Sequence, residues 1–227
     1  MICLVTDRRR LTVEPSADQW RSCLVEQVRF GVDAGVDLVQ VRERDLDAKE
    51  LAALVSSLLA VTRGSRTRLV VNDRLDVALA CGADGVHLRG DSIAVDDARS
   101  LTPDGFLIGR SVHSVEDAIR AAGADYLIAG SVFPSVSKPQ STTWLGIAGL
   151  LAIVRASGPP VLAIGGIDDT RFDEIAATGA AGIAAIGLFV RNPESSESES
   201  GGACRIMPLQ DLVGRARARF DTALSRP

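Results

Sequence analysis

Short apolar runs alternate with longer amphipathic stretches along most of this chain. Eight runs rich in Val, Ile, Leu and Ala have the length of buried β-strands: residues 2–6, 36–42, 68–72, 85–89, 106–109, 126–130, 160–164 and 182–186. The stretches that follow them place apolar residues at helical spacing: 17–34, 48–62, 74–81, 94–100, 115–122, 147–156, 171–178 and 209–224. The pattern therefore predicts eight successive strand–helix units.

The boundaries of several predicted helices carry their own signals. Asp47 and Ser114 are typical helix N-caps, and Ser114 begins a capping box that Asp117 completes. A glycine follows four of the helices, where a left-handed C-cap favours that residue: Gly35, Gly82, Gly123 and Gly179. Each glycine begins a short turn into the next strand.

Repetition of this unit decides the fold class. A right-handed crossover that is repeated eight times closes a parallel sheet into a barrel. We therefore predict an α/β protein, a single-domain (β/α)8 TIM barrel over residues 1–227. A doubly wound open sheet is the alternative, and no predicted strand ends in a dinucleotide-type G-x-G-x-x-G turn.

The composition fits that architecture. The chain has 227 residues, 46% of them hydrophobic and only 4% aromatic, and α/β barrels occupy about 200–250 residues. With 25 Lys and Arg against 29 Asp and Glu, the net charge is −4, which disfavours nucleic-acid and membrane-surface partners. No apolar run approaches the roughly 18 residues of a membrane span. The first charges follow the first apolar stretch, unlike in a signal peptide, so we expect a cytoplasmic protein.

The cysteines and one polar tract add two expectations. Cys3, Cys23 and Cys81 are widely scattered without a C-x-x-C pair, so we expect reduced core residues. Two histidines are too few for a zinc site of the usual kind. Residues 192–202 are a Ser, Glu and Gly tract too polar to offset its ordering entropy, and we expect a mobile loop there.

Polar side chains collect where the predicted strands end. Active sites of (β/α)8 barrels lie at the C-terminal ends of the strands, so these residues are the candidates for chemistry. They are Gln40, Arg42 and Arg44 after strand two, Asn72 and Asp73 after strand three, Arg89 and Asp91 after strand four, Arg110, Ser111 and His113 after strand five, and Ser135, Ser137 and Lys138 after strand six.

Strands seven and eight end in glycine turns instead. Gly165 and Gly166 follow strand seven, and Gly187 follows Ile186 at the end of strand eight. Barrels often bind a phosphate between these two loops, because glycine lets backbone N–H groups approach the phosphate oxygens. The two turns therefore predict a phosphate-binding site.

Two of these groups suggest how charge would be bound. Arg42, Arg44 and Lys138 are expected to converge over the barrel mouth, as polyphosphate recognition requires, although each one alone fits a solvated rim charge. Asn72 and Asp73 offer two hard oxygen ligands for Mg²⁺. The alternative for Asp73 is a cap on the helix that follows it.

The two histidines occupy different positions. His87 lies inside strand four between Val86 and Leu88, which favours a structural imidazole. His113 lies in the turn after strand five, where it could act as a proton shuttle at neutral pH.

Seven segments, taken in order, resemble one family. They are LVTDR at 4–8, QVRER at 40–44, VNDRLDVALACGADGVHL at 71–88, IGRSVHS at 108–114, GADYLIAGSVFPSVSK at 123–138, LAIGGI at 162–167 and GIAAIG at 182–187. The chain is thereby similar to the thiamin-phosphate synthase and TenI family over nearly its whole length. The set is specific for the superfamily and less decisive between its two activities.

The resemblance to the synthase branch implies a reaction and a set of site residues. That reaction joins a hydroxymethylpyrimidine diphosphate to a thiazole phosphate and releases pyrophosphate. The residues implied to hold the pyrimidine diphosphate are Gln40, Arg42, Arg44, Asn72, Ser111 and Lys138. Those implied to hold the thiazole phosphate are Ser135, Ser137, Gly166, Ile186 and Gly187. Asp73 would bind Mg²⁺, and Arg42 and Lys138 are the catalytic candidates for this reaction. Asp91 is included as a second metal ligand, and His113 is a further catalytic candidate because of its position at the mouth.

This chain departs from the synthase pattern after strand four. Ser92 stands where that pattern places a second metal-binding aspartate, Asp91 lies one position earlier, and Arg89 and Gly90 replace the usual Gly-Gln. Two milder departures are Ser-x-Ser-Lys for Thr-x-Thr-Lys and Arg44 for a lysine.

Two other functions stay open at this point. A TenI-type aromatising tautomerase moves a proton on a thiazole phosphate carboxylate without a metal; it resembles this chain at 42–44 and 108–114, with His113 as its catalytic histidine. A non-catalytic regulator that binds thiazole or thiamin phosphate needs only the glycine turns. We favour the synthase, because Asn72 and Asp73 would be surplus in a tautomerase. As (β/α)8 enzymes are often dimers, we include a homodimer among the expected assemblies.

Overall fold

Strands and helices alternate along the computed structural model, which describes residues 1–11, 17–134, 143–190, 204–206 and 208–223. The strands are β1 Ile2–Val5, β2 Leu38–Val41, β3 Arg68–Asn72, β4 Gly85–Leu88, β5 Leu107–Val112, β6 Tyr126–Gly130, β7 Val161–Ile164 and β8 Gly182–Ala185. The α-helices of the described residues are α1 Arg8–Leu11, α2 Ala17–Ala34, α3 Ala48–Thr62, α4 Leu75–Cys81, α5 Val95–Ser100, α6 Val115–Arg120, α7 Gly146–Ala156, α8 Phe172–Ala176 and α9 Gln210–Ala223. Short 3₁₀ turns cover Asp169–Arg171 and Gly187–Phe189.

The strands form one closed parallel barrel. Each strand pairs with the next in chain order, and β8 returns to pair with β1, where Cys3 lies opposite Ala184. The predicted (β/α)8 TIM barrel is therefore confirmed. All strand ends point the same way, so the side chains that follow them share one mouth.

Two hydrophobic layers follow from the alternation of side chains along each strand. On β1, Ile2 and Leu4 belong to the large cluster that includes the helices, whereas Cys3 and Val5 belong to a smaller cluster inside the barrel. That interior cluster also contains Leu38, Val70, Tyr126, Ile128 and Leu162. The interior is therefore a packed core and not a pore.

The same alternation makes the upper layer of the interior polar. Gln40 lies two residues after the interior residue Leu38, and Asn72 lies two residues after Val70; both are buried. Because successive inward residues are two apart, both side chains must stand above the apolar layer. The alternation of inward and outward residues on β2 and β3 thus places Gln40 and Asn72 at the bottom of the barrel mouth.

Some boundaries differ from those predicted. β5 continues through Val112 instead of ending at residue 109, and the one-turn helix α1 after β1 was not predicted. Gly123 is not a left-handed cap, because α6 ends earlier, with Ala121 as its C-cap. The other three predicted cap glycines do have positive φ: Gly35, Gly82 and Gly179.

One cysteine departs from its predicted state. Cys23 on α2 forms a disulfide with Cys204, and their Cα atoms are 5.5 Å apart. The prediction that Cys23 is a reduced core residue was therefore wrong; a separation of 181 residues gave no sequence signal for the pair. Cys3 and Cys81 are free, and burial raises the pKa of the Cys3 thiol.

Two other expectations concern the polar tract and the membrane. Residues 192–202 lie outside the described residues. Within the part of the chain that the structure describes, we find no helix long and apolar enough to span a bilayer.

Candidate active site

A cavity of about 690 Å³ lies at the C-terminal mouth of the barrel, and every strand end contributes to its wall. The structure brings most of the predicted site residues to that wall: Gln40, Arg42, Arg44, Asn72, Asp91, Ser111, His113, Gly166, Ile186 and Gly187. Asp73 lines an adjoining cavity of about 110 Å³ that shares Arg44, Asn72 and Arg89 with the main one.

Gln40 and Asn72 form a matched pair on the floor of the cavity. The Gln40 Nε2 donates to Asn72 Oδ1 over 2.9 Å. This bond leaves Gln40 Oε1 as an acceptor and Asn72 Nδ2 as a donor, and neither atom has a recorded hydrogen-bond partner among the described residues. An acceptor and a donor on the same cavity floor can recognise a planar heterocycle that carries an amino group beside a ring nitrogen.

His87 and Ser111 continue the floor across the next two strands. His87 is buried, with Nδ1 3.2 Å from the Tyr126 hydroxyl and Nε2 2.8 Å from Ser111 Oγ. Burial, followed by the charge of Arg110, lowers the pKa of His87 to about 3. The imidazole is therefore neutral, and its bond to Ser111 holds that hydroxyl in place, which is a structural role of the kind predicted for His87. His87 also lines the cavity.

Arg10, Arg42 and Arg44 place three guanidinium groups along one side of the cavity. Among the described residues, no carboxylate forms an ion pair with any of the three. Burial and the charge of Arg44 lower the pKa of Arg42, and the charge of Arg10 acts in the same direction. Unpaired like charges around a concave surface are the arrangement that binds a polyanion.

The alternation of β2 explains why the acidic residue between two of these arginines does not neutralise them. Glu43 is buried on the opposite side, where it accepts from Thr6 Oγ1 at 2.7 Å and from the Arg8 guanidinium at 3.0 Å. Burial raises the pKa of Glu43, and the bonds from Thr6 and Arg8 oppose that shift. Arg42 and Arg44 are thereby left facing the cavity.

The glycine turns after β7 and β8 form another part of the cavity wall. Gly165 and Gly166 have φ values of 102° and 63°, which L side chains rarely adopt. A Cβ on Gly166 would stand 2.2 Å from the backbone oxygen of Pro134, so this position also has no room for a side chain. Across the cavity edge, Arg10 Nη1 lies 2.9 Å from where a Cβ on Gly187 would be. We call Gly165, Gly166, Gly187 and Arg10 the glycine cup.

Arg10 is a residue that the sequence interpretation missed. It lies on α1, within a run of three arginines in which Arg8 and Arg9 are paired with Asp45. The sequence does show a basic residue shortly after the end of a strand, but nothing in this run distinguishes Arg10 from Arg8 and Arg9.

His113 lies at the rim and has a defined hydrogen pattern. Its Nδ1 contacts the Gly130 carbonyl oxygen, and its backbone N–H donates to Asp117 at 3.0 Å. Because a carbonyl only accepts, Nδ1 carries the hydrogen of this contact. Nε2 is therefore the ring nitrogen that can exchange a proton with a bound molecule.

The acidic edge after β3 and β4 contains both predicted metal ligands and one cation. Asp73 accepts from Ser92 Oγ and lies 3.5 Å from Arg89 Nη1. Arg89 Nη2 donates to Asp91 over 2.5 Å. Asp73 has a φ of 65°, the one positive value recorded for a described residue other than glycine. We call Asp73, Arg89, Asp91 and Ser92 the acidic edge.

Arg110 does not contribute a free charge to the mouth. Its guanidinium donates to the backbone carbonyl of Ile93 at 2.5 Å and of Gly90 at 3.0 Å. Arg110 therefore fastens the loop after β4, and this loop carries the acidic edge. Three predicted ligands lie outside the described residues: Ser135, Ser137 and Lys138.

The fold and the site together define a class: a TIM-barrel protein whose mouth is lined by arginines without ion-pair partners among the described residues, by the Gln40–Asn72 amide pair and by the glycine cup. The family described as thiamine monophosphate synthase (TMP-TENI) matches residues 4–189, and the chain belongs to this family.

Individual relatives agree with that membership. A thiamine-phosphate synthase of Methanoregula boonei is 44% identical over 171 residues, covering 74% of this chain and 79% of the relative. One of Roseiflexus sp. is 35% identical and covers 96% of this chain and 89% of the relative. The solved thiamine phosphate pyrophosphorylase of Pyrococcus furiosus has a TM-score of 0.75 and 32% identity, over 98% of this chain and 96% of that one.

Proposed function

We propose that this chain is a thiamin-phosphate synthase, a transferase that couples hydroxymethylpyrimidine diphosphate to thiazole phosphate and releases pyrophosphate. The observation that carries the proposal is the presence of two anion-binding features on one cavity. Arg42 and Arg44 fit a diphosphate, and the glycine cup, which contains Arg10, fits a second phosphate.

The pyrimidine diphosphate is proposed to bind on the β2 and β3 side. The free acceptor of Gln40 and the free donor of Asn72 complement an aminopyrimidine edge. Arg42 and Arg44 stand above this pair, where they would receive the diphosphate. Ser111, held by His87, offers its hydroxyl from the neighbouring wall.

The thiazole phosphate is proposed to bind in the glycine cup. Gly166, Ile186 and Gly187 would supply backbone N–H groups, and Arg10 would supply the charge. The resemblance adds Ser135, Ser137 and Lys138 as further ligands and as a clamp, and these assignments stay predictions.

The reaction requires one bond to break and one to form. The bond between the pyrimidine methylene carbon and the diphosphate oxygen breaks, and the thiazole nitrogen supplies the electron pair of the new C–N bond. Arg42 and Arg44 stabilise the charge that develops on the departing diphosphate, and the family resemblance adds Lys138 to this role. Because Arg42 and Arg44 form no ion pair among the described residues, no carboxylate has to be displaced before they act on the diphosphate.

Mg²⁺ is proposed as the cofactor that arrives with the diphosphate. Asp73 and Asp91 fit this ion, because both carboxylates already contact one cation, the guanidinium of Arg89. Mg²⁺ is usually bound through one or two carboxylates together with substrate phosphates. When bound, it would neutralise part of the diphosphate charge.

A tautomerase is the second candidate, and one observation favours it. His113 presents Nε2 at the cavity rim, and this nitrogen has no hydrogen-bond partner among the described residues. A proton shift on a thiazole phosphate carboxylate could use that base and the glycine cup alone.

One pair of assays separates the candidates. The purified chain is given pyrimidine diphosphate, thiazole phosphate and Mg²⁺, and pyrophosphate release is followed; the non-aromatic thiazole tautomer is supplied separately without metal. We expect pyrophosphate release that Arg42→Gln lowers at least about 100-fold, whereas the control Arg68→Gln, on the far side of the barrel, leaves it unchanged. Absence of release would refute the synthase. Proton exchange lost in His113→Ala would establish the tautomerase, and binding without turnover would leave a regulator.

The remaining expectations also belong to the proposal. We propose a homodimer in the cytoplasm with no nucleic-acid or membrane partner. Sedimentation of the purified chain tests the first point, and fractionation of cells tests the second.

A further inference from the structure

The acidic edge contains an internal cation at the place proposed for the metal. Arg89 spans both carboxylates, with Nη1 3.5 Å from Asp73 Oδ2 and Nη2 2.5 Å from Asp91 Oδ2. The side chain is 43% exposed, and it stands beside the main cavity. An arginine at this position is one of the departures of this chain from the synthase pattern.

Hydrogen bonds hold the backbone around this arginine, whereas its partly exposed guanidinium contacts only the two carboxylates among the described residues. Ser92 Oγ accepts from the Arg89 N–H at 2.9 Å and donates to Asp73. Arg110 holds the carbonyls of Gly90 and Ile93. The loop and Asp73 are therefore held in place, and the Arg89 guanidinium is the part that can move away into solvent.

We propose that Arg89 is a built-in counter-cation that occupies the metal position of the free protein and competes with a divalent ion for Asp73 and Asp91. The proposal rests on the proposed function, because the divalent ion it concerns is the one that accompanies the diphosphate. Arg89 is a positioning residue and not a catalytic one, since it acts through the two carboxylates.

The physical reason is that an arginine cannot lose its charge. A guanidinium stays protonated in proteins, so a divalent ion can reach both carboxylates only after the side chain has turned away. Phosphate oxygens that arrive with the ion supply the missing ligands. The free protein should therefore bind a divalent ion weakly, and the complex with diphosphate should bind it well.

The test measures Mn²⁺, a Mg²⁺ substitute, by the electron paramagnetic resonance of free ion, with the full chain and no substrate. We expect Arg89→Gln to bind Mn²⁺ about three- to fivefold more tightly than the wild type, the upper part of the range for loss of an exposed ion pair. Arg89→Lys keeps the charge and should stay near the wild type. The control Arg74→Gln removes a charge beside Asp73 that is paired with Asp76, and its effect should be about twofold or less.

Each outcome decides the proposal. Equal Mn²⁺ affinity in the wild type and Arg89→Gln, or an equal gain in Arg74→Gln, would overturn it; circular dichroism shows that the variants are folded. Tighter Mn²⁺ binding without any pyrophosphate release would support the counter-cation while refuting the synthase. Pyrophosphate release with an Mn²⁺ affinity that Arg89→Gln leaves unchanged would support the synthase and refute the counter-cation.

Discussion

The glycine cup can be tested by removing the charge of Arg10. This half-buried residue has its Nη1 beside Gly187 and no carboxylate partner among the described residues. If the thiazole phosphate binds in the cup, Arg10 donates a charge-assisted hydrogen bond to it. Arg10→Gln keeps most of the side-chain volume and removes the charge.

The expected magnitude follows from that one bond. A hydrogen bond to a charged group contributes about 1.5–3 kcal/mol, and we use the lower half of this range because Arg42 and Arg44 also attract the phosphate. The KM for thiazole phosphate should then rise about 13- to 45-fold. The kcat should change little, since the bond is made equally in the ground state and the transition state.

A second substitution shows whether Arg10 acts through the cup. A Cβ on Gly187 would meet the Arg10 guanidinium at 2.9 Å and nothing else within 4 Å. Gly187→Ala should therefore fold normally and displace Arg10, which raises the same KM. The double variant should be no worse than Arg10→Gln alone, because both changes remove the same interaction.

The assay follows pyrophosphate release against thiazole phosphate concentration, with pyrimidine diphosphate and Mg²⁺ saturating. Arg9→Gln is the matched control, since its side chain is 71% exposed and paired with Asp45. An unchanged KM in Arg10→Gln would refute the role of Arg10. Fully additive effects in the double variant would show that Arg10 and Gly187 act independently.

Three further predictions concern stability. The pKa of His87 is lowered to about 3, below the roughly 6.5 of an unfolded histidine, so its contribution to the unfolding free energy is complete above pH 6.5 and is lost as the pH falls. The unfolding free energy measured with urea should therefore be about 2 kcal/mol lower at pH 5 than at pH 7, and His87→Gln should flatten this difference. Gly109→Ala would place a Cβ 2.1 Å from the ring carbon Cζ of Tyr126 on β6, and it should lower the free energy of thermal unfolding by about 2–3 kcal/mol. The Cβ of Gly158→Ala meets nothing within 4 Å, so this control should leave the free energy unchanged. Cys204→Ser should lower the unfolding free energy by about 2–5 kcal/mol, and a reductant should lower the Tm of the wild type only; equal Tm values would contradict a disulfide between Cys23 and Cys204.

The barrel and the floor of its mouth were accessible from the sequence because both depend on periodicity. Eight apolar runs separated by helical patterns allow few topologies. Within a run, the inward phase is visible as well: Gln40 continues the phase of Leu38, and Asn72 continues that of Val70. A polar residue in an inward phase at a strand end is a signal that needs no structure.

The ion pairs of the charged residues could not be predicted from sequence periodicity. Arg8, Arg9 and Arg10 are consecutive and chemically identical, yet Arg8 and Arg9 are paired with Asp45, more than thirty residues further along the chain, and Arg10 forms no ion pair among the described residues. Local patterns carry no information about such contacts. For the same reason the sequence predicted the acidic edge as a pair of metal ligands and did not show that Arg89 joins them.

Ion pairing, and not net charge, explains how a chain of net charge −4 presents a cationic mouth. Arg89 and Arg110 lie at the mouth, but carboxylates and backbone carbonyls already bind them. Arg10, Arg42 and Arg44 have no such partner among the described residues, and burial together with neighbouring charge lowers the pKa of Arg42. The charges of Arg44 and Arg10 oppose the charge of Arg42 in the free protein, and the two bound phosphate groups would offset that repulsion. Affinity for the phosphorylated substrates should therefore exceed what isolated surface arginines provide, and it should weaken as salt screens both the repulsion and the attraction.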